Sequence, residues 1–455
     1  MTVDLSKVPQ MTQTPAQHDE RMQWFRDAKF GMFIHWGPCS VGKREIGWGR
    51  NARRPWDIGI PDPSDDTHDA EYDNYYKVFN PERYDADAWA RFAKESGMTY
   101  MVLITKHHDG FSQFDTKLSD YSIMATPYGR DIVKPFVEAC HKHGLKAGLY
   151  YSTRDWYHPD YLVGDNKAYD EWYRGQVEEL LTNYGKVDMM WFDHVGGRDW
   201  GKWKFDELFA MMYRCQPELL VNNRAARFCG PTTPEDQGPE SPEFEHMTLG
   251  DFYTPEGKIG AMDIENDWES CIHVGQGWSY RGEDGFKGPE DCIKMLASCT
   301  TGGGNLLLNF GPRPDGTFTD GEAAVARAMG EWLNQYGEAV YGTRGGPLQN
   351  GDWGGSCHKG NKVFLHVYEW TQDTLELPPL PHQVLAARTL EDKPVTFTQD
   401  EARLAVSVAD TDRDTPVTVI KLTLDAAIEP GCLTGQAPAE QEADARVVGP
   451  PPGQD

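Results

Sequence analysis

Met189-Met190-Trp191-Phe192-Asp193 decides how this chain is read: a short apolar run, β-strand in length, that ends on a carboxylate. A run of this kind, bounded by polar residues, is the pattern of a strand buried on both faces, as in parallel sheets. The same pattern recurs outward in both directions. Candidate strands are Phe30–His35, Tyr100–Thr105, Lys146–Ser152, Met189–Asp193, Leu219–Asn223 and Asn305–Phe310. Between them lie amphipathic stretches at Ala86–Ser96, Ile132–His143, Glu171–Tyr184, Phe205–Gln216, Pro289–Thr300 and Asp320–Tyr336, each long enough for a helix. In Glu171–Tyr184, for example, Trp172, Val177, Leu180, Leu181 and Tyr184 fall near one face. Alternating βα units predict a (β/α) barrel of the TIM type.

The strand ends carry the functional signal. Most finish in polar or aromatic residues: His35-Trp36, Lys106-His107-His108, Tyr151-Ser152, Asp193-His194 and Asn223-Arg224. In a parallel barrel these C-terminal ends converge on one mouth, where the active sites of such folds are built. Any single polar ending can simply mark where a strand stops; five of them together point to a site.

After Gly342 the character changes. The Gly-rich stretch Gly342–Gly355 leads into short alternating segments, Lys362–Tyr368, Gln383–Ala387, Arg403–Val408 and Val417–Leu424, which predict a small antiparallel β-sandwich. The expected organisation is a catalytic barrel over residues 1–341, a C-terminal β-sandwich over 342–430, and a tail over 431–455. That tail, rich in Pro, Ala, Gly and acidic residues, is expected to be mobile. A length of 455 residues agrees with two domains.

Composition excludes some partners. Lys and Arg total 44 against 71 Asp and Glu, a net charge of −27, so the surface repels phosphate backbones and anionic lipids. No apolar run approaches the length needed to cross a bilayer. Neither nucleic acid nor membrane is expected as a partner. The polar start from Met1 to Glu20 has no basic n-region or apolar h-region, and nine scattered cysteines contain no CxxC pair. Both observations favour reduced thiols and a cytoplasmic location.

Aromatic residues make up 12% of the chain, with 15 tryptophans, and Trp36, Trp48, Trp56, Trp156, Trp191, Trp268 and Trp278 fall in predicted loops or strand ends. Aromatic faces stack on the C–H faces of sugar rings. Each alone reads equally as a core residue; their clustering tilts toward carbohydrate. Asp193, flanked by aromatics at a strand end, suits attack on an anomeric carbon, although a helix N-cap would look the same. A retaining glycosidase needs a second carboxyl group. Glu256, in Gly250-Asp251-Phe252-Tyr253-Thr254-Pro255-Glu256, offers one, and Glu269, in Trp268-Glu269-Ser270-Cys271, competes with it. Adjacent His107 and His108 reach one ligand only if the chain turns after them, and Gly110 permits such a turn. His35, His107, His108 and Asp193 also form a conceivable metal set, so a metal-dependent hydrolase is a rival. Gly302-Gly303-Gly304 lacks the Lys-Ser/Thr of a P-loop and reads as a tight turn into a buried strand.

Several separated motifs together resemble the α-L-fucosidases of glycoside hydrolase family 29. They are Lys29-Phe30-Gly31-Met32-Phe33-Ile34-His35-Trp36-Gly37, the Lys106–Phe111 cluster, Gly148-Leu149-Tyr150-Tyr151-Ser152, Trp191-Phe192-Asp193, Asn222-Asn223-Arg224, Trp268-Glu269-Ser270-Cys271 and Asn305–Gly316. The resemblance implies a barrel followed by a β-sandwich, and retention of configuration through a covalent fucosyl-enzyme. Asp193 matches the nucleophile. Glu256 matches the acid/base of the branch carrying Thr-Pro-Glu, which is often selective for α-1,3 and α-1,4 fucosides; Glu269 stays in reserve. By the same resemblance His35, His107, His108, Tyr151, Trp191 and Arg224 line the fucose pocket, joined by Trp278 from the loop aromatics. Glu45 and Trp48 also fall in this set, but the stretch Glu45-Ile46-Gly47-Trp48 departs from a common pattern in which Glu and Trp are contiguous. The insertion-like Arg50–Tyr76 is expected to shape the leaving-group side. No cofactor or resident metal is implied, and the partner is a fucosylated oligosaccharide or glycan. An α-L-galactosidase is the near alternative, since that sugar differs only at C6; a catalytically silent lectin is a more distant one.

Overall fold

The computed structural model describes residues 8, 12–50, 69–193, 196–197, 203–225, 227–228, 249–429 and 431–434. Most of the insertion-like stretch after Arg50, together with Trp56 and the tail beyond 434, lies outside the described residues. Helix α1 (Pro15–Ala28) opens the fold, a feature the polar N-terminus had not suggested. Its signal is local: Thr14 accepts from the backbone of Gln17, the Gln17 side chain returns the bond, and Pro15 occupies the first turn.

Seven parallel strands form one sheet: β1 (Phe30–Ile34), β2 (Tyr100–Lys106), β3 (Lys146–Ser152), β4 (Met189–Asp193), β5 (Leu220–Val221), β6 (Glu269–His273) and β7 (Asn305–Phe310). Their order is β5-β4-β3-β2-β1-β7-β6. Helices α2 (Ala86–Glu95), α3 (Val133–Lys142), α4 (Lys167–Asn183), α5 (Phe205–Cys215), α6 (Pro289–Thr301) and α7 (Asp320–Tyr336) stand where expected within a few residues. Two features differ from expectation. Strand β5 is shorter than Leu219–Asn223, and β6 was not read as a strand, because Glu269-Ser270-Cys271 looks polar in sequence. The edge strands β5 and β6 both bond to an irregular segment over residues 251–257. Asp251 N donates to Val221 O (2.6 Å) and Asn223 N to Phe252 O (2.9 Å) on one side; Glu269 N donates to Tyr253 O (2.8 Å) and Cys271 N to Pro255 O (2.9 Å) on the other.

Alternation along the strands sorts side chains between two cores. Phe33, Tyr100, Val102, Ile104, Tyr150, Met189, Trp191, Leu220, Cys271 and Leu307 meet inside the curled sheet. Met32, Ile34, Met101, Leu103, Tyr151, Met190, Phe192, Leu306 and Leu308 meet the helices.

The C-terminal region is antiparallel. Strands β8 (Arg344–Gly345), β9 (Gly354–Lys359), β10 (Lys362–Val367), β12 (Val384–Thr389) and β15 (Thr418–Leu424) form one sheet in the order β8-β9-β10-β15-β12. Strands β11 (Thr374–Leu377), β13 (Thr396–Gln399) and β14 (Leu404–Ser407) form a second, in the order β11-β14-β13. The two enclose a core that includes Leu365, Leu377, Val406 and Leu422. The opposite face of the larger sheet sends Cys357, Phe364 and Val419 into the helix-side core of the parallel region. Among the described residues no helix is long and apolar enough to cross a membrane.

Candidate active site

The C-terminal ends of β1 to β4 carry the polar cluster. Strand β2 stops at Lys106, and the chain turns at Gly110, whose φ of +79° lies in the left-handed region and whose N–H donates to His107 O (3.0 Å). That turn lets consecutive His107 and His108 face one site, their rings 4.0 Å apart. His107 stacks on Tyr150 at 5.4 Å. His108 is held from behind by Ser152 Oγ, 2.6 Å from its Nδ1, and its Nε2 lies 3.8 Å from Asp193 Oδ2. His35, at the end of β1, is fixed by Asn309 Oδ1 at 2.6 Å and packs on Trp278 at 5.0 Å. Burial pulls the His35 imidazole down to about 3, so it stays neutral, with one ring nitrogen able to donate and the other to accept.

Asp193 is the last residue of β4 and is 9% exposed. Tyr150 Oη donates to its Oδ2 (2.9 Å), and Arg224 Nη1 donates to its Oδ1 (3.0 Å). The same Arg224 Nη1 lies 2.7 Å from Glu256 Oε2. Thr254 steadies that arginine: its hydroxyl accepts from Nε (2.8 Å) and its carbonyl from Nη2 (2.9 Å). The guanidinium rests 4.8 Å over the Trp191 ring. Burial alone would lower the Arg224 pKa; the charges of Glu256 and Asp193 raise it above its ordinary value, and it remains a cation. Exposure rises from Asp193 to Glu256, whose side chain is one-third exposed.

Eight of the sequence-predicted residues are brought together here: Asp193, Glu256, Arg224, Trp191, His35, His107, His108 and Trp278. Trp48 joins them at the rim, edge-on to His108 at 5.3 Å. The three others, Tyr151, Glu45 and Glu269, are bonded to other partners. Tyr151, expected in the pocket, points to the helices, where its hydroxyl donates to Gln176 (2.8 Å); the alternation of β3 gives that place to Tyr150. Glu45 holds the loop bearing Trp278, accepting from the backbone of Ser279 (2.9 Å) and Trp278 (3.2 Å). Glu269 begins β6 at the opposite end of the sheet from Asp193, fully buried, bonded to Tyr100 and to Trp191 Nε1 (3.0 Å). A carboxyl there cannot reach a leaving group at the mouth. Of the loop tryptophans, Trp36 is core, packed on Phe79 and Trp89. Sequence reasoning missed Tyr150, Phe33, Thr254 and Asn309. Strand alternation could have found the first two; nothing local marks the others.

His107, His108 and Asp193 offer ligand atoms within 4.8 Å of one another, a geometry a metal ion could use. Against this, both Asp193 oxygens already accept bonds, one of them from a guanidinium that would repel a second cation.

Comparison with known proteins agrees with the geometry. The family model described as alpha-L-fucosidase matches residues 3–338. A plasma alpha-L-fucosidase of Rattus norvegicus is 30% identical over 348 residues, 72% of each chain. That of Homo sapiens is 29% identical over 378 residues, 76% of each. Among solved structures, alpha-L-fucosidase isoenzyme 1 from Paenibacillus thiaminolyticus superposes with a TM-score of 0.75 at 32% identity, covering 90% of this chain and 99% of that one. A family 29 alpha-L-fucosidase from Bacteroides thetaiotaomicron, solved as a trapped covalent intermediate with 2-fluoro-fucosyl fluoride, gives a TM-score of 0.76 at 26% identity over 90% and 97% of the two chains. The chain belongs to the α-L-fucosidase family and is a retaining glycoside hydrolase.

Proposed function

We propose that the chain is an exo-acting enzyme that removes terminal α-L-fucose, linked α-1,3 or α-1,4, from oligosaccharides, with Asp193 as nucleophile and Glu256 as acid/base. The supporting observation is that one atom, Arg224 Nη1, contacts both carboxylates. Their bonded oxygens therefore lie at most about 5.7 Å apart, compatible with the roughly 5–5.5 Å between the carboxyl groups of retaining glycosidases. In the first step an Asp193 oxygen bonds to the anomeric carbon as the glycosidic C–O bond breaks, and the Glu256 proton passes to the departing oxygen. In the second, Glu256 takes a proton from water, whose oxygen displaces Asp193 and frees fucose. Phe33 and Trp278 supply an apolar wall suited to the C6 methyl; an L-galactoside would bring a hydroxyl against it.

The same reading takes the parallel sheet, with residues 251–257 bridging its edges, as a closed (β/α) barrel over 1–341 and the antiparallel sheets as a companion β-sandwich over 342–430. It assigns the chain to the cytoplasm, supported by eight described cysteines that are all free thiols, six of them buried. The test is a panel of linkage-defined fucosides assayed with wild type and Asp193→Ala. Turnover confined to α-1,3 and α-1,4 linkages, falling at least about 10⁴-fold in the variant, is expected. Unchanged turnover in the variant removes Asp193 from the mechanism, and preference for α-1,2 or α-1,6 fucosides removes the linkage assignment. Dialysis against a chelator should leave activity unchanged; a loss restored by zinc would contradict this reading and favour a metal on His107, His108 and Asp193.

A further inference from the structure

We infer that Glu269 is a positioning residue for the fucosidase reaction, holding the Trp191 indole as the shelf on which two hydrogen-bond donors to the Asp193 carboxylate, Tyr150 and Arg224, rest. The inference builds on the proposed role of Asp193.

Glu269 is the first residue of β6 and is wholly buried inside the curled sheet. Its two oxygens are used separately: one accepts from Tyr100 Oη on β2 and the other from Trp191 Nε1 on β4, at 3.0 Å. Tyr100 reaches it across the interior because residue 31 on neighbouring β1 is glycine; a Cβ there would overlap the Tyr100 ring. Among the described residues no lysine or arginine pairs with this carboxylate. The titratable groups that face it are Tyr100, Cys271 and Cys299, all held neutral by burial. Placing an acid with no cation beside it costs free energy. What it gains is a fixed indole.

The indole touches two groups that hold the nucleophile. Tyr150 stacks on Trp191 at 5.6 Å with its ring plane tilted by 21°, and its hydroxyl donates to Asp193. Arg224 lies 4.8 Å over the same ring and bonds Asp193 and Glu256. Rotation of the Trp191 ring would therefore displace a donor on each side of Asp193. Misplacement at this scale acts on the transition state more than on sugar binding, because the reacting atoms must align. Glu269 itself touches no substrate.

The test is steady-state kinetics of the full chain on an aryl α-L-fucoside, comparing E269Q, W191F, the E269Q/W191F double variant, Y100F and D193A. Expected are a fall in kcat of about 10- to 100-fold for E269Q with KM within about threefold, and a double variant within about twofold of W191F alone, since both changes act through one indole N–H. Wild-type kcat in E269Q, or losses that multiply in the double variant, would overturn the inference. If E269Q does not fold, the single variants decide. W191F should lose at least about tenfold and Y100F less than about threefold; the reverse order contradicts the role. Activity retained by D193A would sink the nucleophile assignment and this inference together. An inactive D193A with multiplying losses sinks this inference alone.

Discussion

Asp193 is held by donors of different kinds: a neutral phenol on one oxygen and a guanidinium on the other. The Tyr150 hydroxyl is the easier to isolate, because Tyr150→Phe leaves the stack on Trp191 in place. A hydrogen bond to a charged group is worth about 1.5–3 kcal/mol, so kcat should fall about 10- to 150-fold if the bond is made in the transition state. Steady-state kinetics on an aryl fucoside checks this, and an unchanged kcat would show that the bond is idle. Glu269 gives a second prediction at this scale. Burial pushes its carboxyl up to about 7 from an ordinary 4.5, outweighing the lowering by its bonds to Tyr100 and Trp191. An acid raised in the folded state contributes its full stability below about 4.5 and loses it as pH climbs through about 7. The loss amounts to about 3 kcal/mol over that window. Glutamine does not titrate, so Glu269→Gln should gain stability relative to wild type by about 2–3 kcal/mol between pH 5 and pH 8, read from urea midpoints. An equal difference at both pH values would contradict the shift.

Among elements, the irregular segment over residues 251–257 carries Thr254 and the proposed acid/base, Glu256. It lacks regular strand hydrogen bonding, and its position depends on a clamp from α1. Arg21 grips Asp251 with bonds of 2.8 and 2.6 Å, and a third bond runs from Arg21 to Leu219 O at 3.0 Å; both side chains of the ion pair are nearly inaccessible. Arg21→Ala leaves a buried carboxylate uncompensated and should cost about 3–5 kcal/mol, measurable as a lower urea midpoint. A loss under 1 kcal/mol would show that Asp251 is held by its other partners, Val221 N and Tyr213 Oη. This segment also marks the limit of what the sequence discloses. Strands β1 to β4 and β7 were legible because they are apolar runs, and His107, His108 and Asp193 follow directly from the ends of β2 and β4, while Arg224 follows the shorter β5. Strand β6 was not, because its first residue is a buried glutamate whose partners come from β2 and β4. The resemblance points to Tyr151 where the fold presents Tyr150, since only the phase of the pleat separates neighbouring tyrosines. In the C-terminal region Gly354 and Gly355 close the Gly-rich stretch Gly342–Gly355, while in the fold they begin a strand, Gly354–Lys359, that pairs with both Arg344–Gly345 and Lys362–Val367.

At the scale of the molecule, the two antiparallel sheets do not hang from the parallel region by a linker alone. Cys357 Sγ and His366 Nε2 both approach Ala339 O, at 3.1 Å each, and Phe364 and Val419 share a core with the helices α6 and α7. The central claim, a covalent fucosyl-enzyme on Asp193, is tested most directly by incubating the protein with 2-fluoro-fucosyl fluoride and mapping the adduct by peptide mass spectrometry. The account predicts one fluorofucosyl group per chain, on the peptide containing Asp193, with no label in Asp193→Ala. Label on Glu256, Glu269 or any other carboxylate, or full turnover without an adduct, would contradict it.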